Sequence, residues 1–172
     1  MVSFRQAFRP QPSADAPQRP FKVIVPVSGG EADRRLLEIV ERLAQKQNAT
    51  ITIIYVVEVA QSMPLDAELP VEVERGERVL RDAERIASRC VDGRRGSIRT
   101  ELLQARSAGA AIVDEAIDRG ADTILMSASL RRKHGRVTVG ETVDYVLKNA
   151  PCEVIVIRQP MPEWLTDHME SA

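Results

Sequence analysis

The sequence predicts an α/β domain built on a parallel sheet with helices on both faces, joined by right-handed crossovers. Three observations predict it. Short apolar runs alternate with stripes at helical spacing through the middle of the chain, giving five strands and four helices in strict order. The inner runs are apolar at nearly every position, as strands covered on both faces require. The 172 residues are 44% hydrophobic but only 3% aromatic, a length suited to one domain and a composition that makes its core aliphatic.

Val23, Ile24, Val25, Pro26 and Val27 form the first strand, and Ser28, Gly29 and Gly30 have turn composition. Leu36, Leu37, Val40, Leu43 and Ala44 then recur at helical spacing. The second strand runs from Ile51 to Val57. Residues 60–70, with Pro64 and Pro70, read as a loop before a second stripe of Val73, Val79, Leu80, Ala83, Ile86, Ala87 and Cys90. Gly76 weakens that helix by about 1 kcal/mol relative to alanine. After a turn from Asp92 to Gly96, residues 98–103 read as a strand whose Arg99, Thr100 and Glu101 suit a sheet edge. Ser107 is set to N-cap a helix through Ile112, Val113, Ala116 and Ile117, with Gly120 as its stop. Thr123 to Met126 is the fourth strand, followed by a basic loop. Gly140 opens the last helix, with Val143, Val146 and Leu147 on one face, and Pro151 closes it. Val154 to Ile157 is the last strand.

Residues 1–20 hold Pro10, Pro12, Pro17 and Pro20 without either apolar period and read as a disordered tail. Residues 159–172, with a lone Trp164, read as a short second tail.

Several function classes are excluded at this stage. With 24 basic and 25 acidic side chains the net charge of −1 lacks the basic footprint of a nucleic-acid binder. Phe4, Phe8, Phe21, Tyr55, Tyr145 and Trp164 are too scattered for a base-stacking platform. Cys90 and Cys152 form no CxxC pair and read as buried structural thiols, with a disulfide between them as the alternative. His134 and His168 stand apart from any metal-spaced partners, so no metal is predicted. No apolar run reaches the length of a membrane span, which predicts a cytoplasmic chain without membrane insertion. Ser28-Gly29-Gly30 lacks the G-x-S-x-G pattern of a nucleophile elbow, and Asp114-Glu115, Glu72, Glu74 and Glu77 read as solvated helix faces. No catalytic residue is predicted. In open parallel sheets ligands bind beyond the carboxyl ends of the strands, which directs attention to the positions after Val27, Val57 and Met126.

The stretch from Val23 to Gly30, the strand ending Ile54-Tyr55-Val56-Val57-Glu58, and the closing stretch from Gly140 through Lys148-Asn149-Ala150-Pro151-Cys152-Glu153 to Ile157 resemble the universal stress protein domain. The likeness covers roughly residues 21–158. It implies a Rossmann-like sheet in the order 3-2-1-4-5 and dimers formed through the fifth strand. It also implies an ATP or AMP site, built from an aspartate after the first strand and Gly-x2-Gly-x9-Gly-Ser/Thr after the fourth. Glycines there let backbone N–H groups approach phosphates, and the last pair opens a helix whose positive end favours an anion.

Here the aspartate position is Ser28, the glycine positions are Ser127, Leu130 and Gly140, and the Ser/Thr position is Glu141. Only Gly140 matches. Ser28 carries no charge for magnesium. Leu130 disfavours positive φ. Glu141 places a carboxylate on the first helical turn, where it opposes a triphosphate. Pro26, Val27 and Val56 keep the apolar wall and backbone groups where the family seats adenine and ribose, beside Met126. Ser127 and Thr142 keep hydroxyls able to donate to a phosphate. Arg131, Arg132, Lys133, His134 and Arg136 fall in the same loop, either as a solvated charge run or within reach of phosphates or Glu141.

The leading reading is a non-enzymatic, cytoplasmic, homodimeric regulatory domain of the stress response with a degenerate adenine-nucleotide pocket, one that admits AMP more easily than ATP with magnesium. Val154, Ile155, Val156 and Ile157 at a sheet edge would pair antiparallel with a second copy. Two alternatives stay open. One is a competent ATP/AMP binder with slow ATP hydrolysis, in which the basic loop replaces the glycines. The other is a soluble regulatory partner of a membrane transporter or signalling protein.

Overall fold

The structure is a computed structural model that describes residues 19–46, 48–88, 96–128, 131–133 and 136–158, with the backbone alone at 43–46, 96, 131–133 and 136–137. The expectations for most of the N-terminal tail, for the C-terminal tail with Trp164, and for Cys90, Leu130, His134 and His168 fall outside the described residues.

The elements follow in the order β1 (Phe21–Pro26), α1 (Glu31–Lys46), β2 (Ala49–Glu58), α2 (Pro70–Ala87), β3 (Gly96–Ala105), α3 (Ala108–Arg119), β4 (Thr123–Ala128), β5 (Arg131–Lys133), β6 (Arg136–Thr138), α4 (Glu141–Asn149) and β7 (Glu153–Arg158). Five strands pair in parallel in the order β3-β2-β1-β4-β7. From β1 the chain steps outward through β2 to β3, then returns to the other side of β1 for β4 and β7. The gap between the carboxyl ends of β1 and β4 is therefore the switch point of the sheet.

Strand alternation sorts the apolar residues into two cores. Val23, Val25, Ile51, Ile53 and Leu125 point to one face and pack with Leu36, Leu37 and Val40 of α1 and Leu80, Ala83 and Ala87 of α2. Ile24, Ile54, Ile124 and Met126 point to the other and pack with Ile112, Val113 and Ala116 of α3 and Val143 and Val146 of α4. Ile117 and Leu147, expected within the helical stripes, are exposed on the rims of α3 and α4.

Local signals account for most element ends. Ser107 caps α3 through its hydroxyl, which accepts the Ala110 N–H at 3.5 Å, and Gly120 ends it with φ +56. Pro70 starts α2 instead of closing the preceding loop, because proline's missing N–H costs nothing in the first helical turn. Gly76 corrects the expectation of a simple weak point. It is buried, and a Cβ there would lie 2.6 Å from Tyr55 Cδ1 and 2.8 Å from Leu102 Cδ1, so its bareness lets α2 seat on β2 and β3. The polar β3 is an edge strand, and Glu101 on it pairs with Arg119 of α3. Arg119 also takes Glu115, which is therefore no freely solvated helix residue.

The basic stretch is the main departure from expectation. Its backbone forms an antiparallel hairpin in which Arg131 faces Thr138, Arg132 faces Val137 and Lys133 faces Arg136. Cationic side chains carry no apolar alternation, so the pattern that reveals the other strands is silent here.

The amino end of the sheet is fastened by Asp122. Its carboxylate accepts the Lys22 N–H at 3.0 Å and both Arg19 terminal nitrogens, at 3.1 and 2.5 Å. The Lys22 N–H first, and Arg19 after it, hold this carboxyl below the usual carboxylate range against the opposing effect of burial. A depressed folded-state pKa stabilises the fold at neutral pH, and the stabilisation is lost as the pH falls through that pKa. Asp122→Asn is accordingly less stable than the parent at neutral pH, and the gap in urea midpoints narrows between about pH 5 and about pH 2. A gap that stays constant over that range would exclude the charge as its source.

Cys152, just before β7, is a free thiol, half-buried, and burial pushes its pKa up. Among the described residues no helix is long and apolar enough to cross a membrane.

Candidate functional site

A cleft of about 440 Å³ opens at the switch point. Pro26, Val27 and Ser28 reach it from the end of β1, Val56 from β2, Met126 and Ser127 from β4, and Gly140, Glu141 and Thr142 from the start of α4. The structure thus gathers these sequence-predicted positions around one space. Arg131 begins the hairpin, with only its backbone described.

The floor of the cleft is organised by a residue that pattern reading did not single out. Asp33 is the third residue of α1, close enough to reach back over the turn that feeds the helix. Its Oδ2 accepts the N–H groups of Ser28 and Gly29, each at 2.7 Å, and its Oδ1 accepts the Ser127 hydroxyl at 3.2 Å. The carboxylate is 5% exposed and ties the end of β1 to the end of β4. Gly29 makes the turn possible: its φ is +80, and a Cβ would lie 2.6 Å from Val79 Cγ2 on α2. The one advance signal was an acid three residues after Gly30, in the place where a capping residue reaches back to free N–H groups.

A second carboxylate does similar work at α3. Glu58, at the end of β2, accepts the Ala108 N–H at 2.7 Å across the mouth of the cleft. The start of α4 is different. Gly140, at the cap position, has φ +95 and no side chain to cap the helix, and its N–H donates to the Thr138 hydroxyl at 3.3 Å.

The walls are divided by chemistry. Val27, Ile54, Val56, Ile112, Met126, Val139 and Val143 give an apolar side suited to a flat ring, while the hydroxyls of Ser28, Ser127 and Thr142 give polar anchors. Four carboxylates, Glu31, Asp33, Glu58 and Glu141, also line the space, and no Lys, Arg or His does so among the residues whose side chains are described. No three His, Cys, Asp or Glu among the described residues come together as metal ligands. The lining thus combines an apolar wall with hydroxyls and carboxylates.

A doubly wound sheet in this order, with its cleft at the switch point, defines a Rossmann-like α/β domain. The profile of the universal stress protein family matches residues 21–158, and the chain belongs to that family. Universal stress protein MJ0531 of Methanocaldococcus jannaschii is 28% identical over 148 residues, covering 83% of this chain and 84% of its own. Among solved structures, universal stress protein UspA of Lactobacillus plantarum is 30% identical with a TM-score of 0.62, over 82% of this chain and 99% of that one. A universal stress protein from Archaeoglobus fulgidus, solved in complex with dAMP, shares the fold with a TM-score of 0.62 at 16% identity, over 80% of this chain and 97% of that one.

Proposed function

We propose that this chain is a non-enzymatic, cytoplasmic regulatory domain that works as a homodimer paired through β7, and that its cleft takes AMP in preference to ATP with magnesium. The observation that carries the ligand preference is the lining of the cleft: apolar walls and hydroxyls for a nucleoside, with the carboxylates of Glu31, Asp33, Glu58 and Glu141 around them. The dAMP complex of the Archaeoglobus relative supports an adenine nucleotide as the ligand class.

Regulation without catalysis fits the two serines. Both hydroxyls donate to the Asp33 carboxylate, that of Ser127 at 3.2 Å and that of Ser28 at 3.5 Å. Calorimetric titration checks the ligand preference: AMP binds more tightly than ATP, and magnesium does not improve ATP. A sub-micromolar, magnesium-dependent ATP isotherm contradicts it.

A further inference from the structure

We propose that Asp33 sets the charge limit of the ligand. Its carboxylate is a built-in anion that takes up the N–H groups of the β1–α1 turn, so the cleft admits a nucleoside or nucleoside monophosphate and turns away di- and triphosphates. The inference rests on the cleft being an adenine-nucleotide pocket.

Backbone N–H groups at a strand-to-helix turn are ordinarily a landing place for phosphate oxygens. Here those of Ser28 and Gly29 point at one oxygen of Asp33, both at 2.7 Å, a length typical of charge-assisted bonds. The group is 5% exposed, so salt screens it poorly. A phosphate arriving at this turn finds its donors engaged and meets a fixed negative charge. Glu58 closes the start of α3 in the same way by taking the Ala108 N–H. In a partly solvated cleft each further ligand charge near Asp33 weakens binding by about tenfold.

Asp33→Asn isolates the charge from the architecture. With its amide oxygen in the place of Oδ2, the new side chain still accepts both N–H groups, and its NH2 donates to the Ser127 hydroxyl, which is able to accept. A purely structural role for Asp33 would leave ligand selectivity untouched.

The test is calorimetric titration of the full chain with adenosine, AMP, ADP and ATP. It compares the parent with Asp33→Asn and Asp33→Ser, each checked for folding by thermal melting. The parent binds adenosine and AMP more tightly than ATP, and removing the charge raises the ratio of ATP to adenosine affinity by about tenfold. Asp33→Ser, which removes the charge with a smaller side chain, reads the same ratio if the asparagine variant fails to fold. An unchanged ratio in a folded variant overturns the role of Asp33 while leaving the pocket intact. Parent protein that binds ATP as tightly as AMP overturns it as well. If none of the four compounds binds the parent or a variant, the nucleotide pocket itself is refuted, and this inference with it.

Discussion

Leu125→Ala lowers the unfolding free energy by about 2–5 kcal/mol, the range for truncating a fully buried leucine. Leu125 lies on β4, opposite Ile155 of β7, and is 1% exposed. It packs in the core that α1 and α2 share, between strands whose neighbours are already fixed by pairing. The sheet is poorly able to collapse into the space left behind, which puts the loss toward the upper part of the range. The damage also reaches the cleft, because the next two residues are Met126 and Ser127. Chemical denaturation reads the stability. A loss below about 1 kcal/mol would mean that Leu125 does not sit in a tightly packed core.

If β7 forms the dimer interface proposed above, Ile155→Lys weakens association by about a hundredfold, giving a monomer at micromolar concentration, and leaves the protomer folded. Among the described residues β7 has β4 on one side and no strand on the other, the arrangement in which edge-to-edge pairing with a second copy satisfies backbone groups. Ile155 is 44% exposed, on a face where α1 and α2 do not cover it, and it belongs to neither core. A lysine on an exposed strand edge is the usual device against edge-to-edge pairing. Val156 is the poorer place for the change, since it packs against the second core and its replacement would mix folding with association. Light scattering at several concentrations decides: parent and variant of equal mass would remove β7 as the interface.

The fold was legible in the sequence because its signals are redundant. Each sheet strand except the edge strand β3 is an apolar run, each helix has a stripe, and Ser107 and Gly120 mark the ends of α3 with residues whose chemistry suits those places. β3 was readable as an edge by its polar Arg99, Thr100 and Glu101. What escaped notice depends on relations across distance. The hairpin of β5 and β6 is built from cationic residues without an apolar period. The usefulness of Gly76 lies in the Tyr55 ring and the Leu102 side chain that approach it. At the cleft, the chain's resemblance to its family directed attention to Ser28 and Glu141 as departures, whereas the carboxylate at the floor belongs to Asp33. Its partner Ser127 is distant in sequence and comes near only because β1 and β4 are neighbours.

Native mass spectrometry of the protein as purified, without added nucleotide, tests the central claim most directly, since one spectrum reports both assembly and bound ligand. The expected species is a dimer that carries either no nucleotide or a nucleoside monophosphate on each protomer. A protomer saturated with ATP and magnesium would contradict the account.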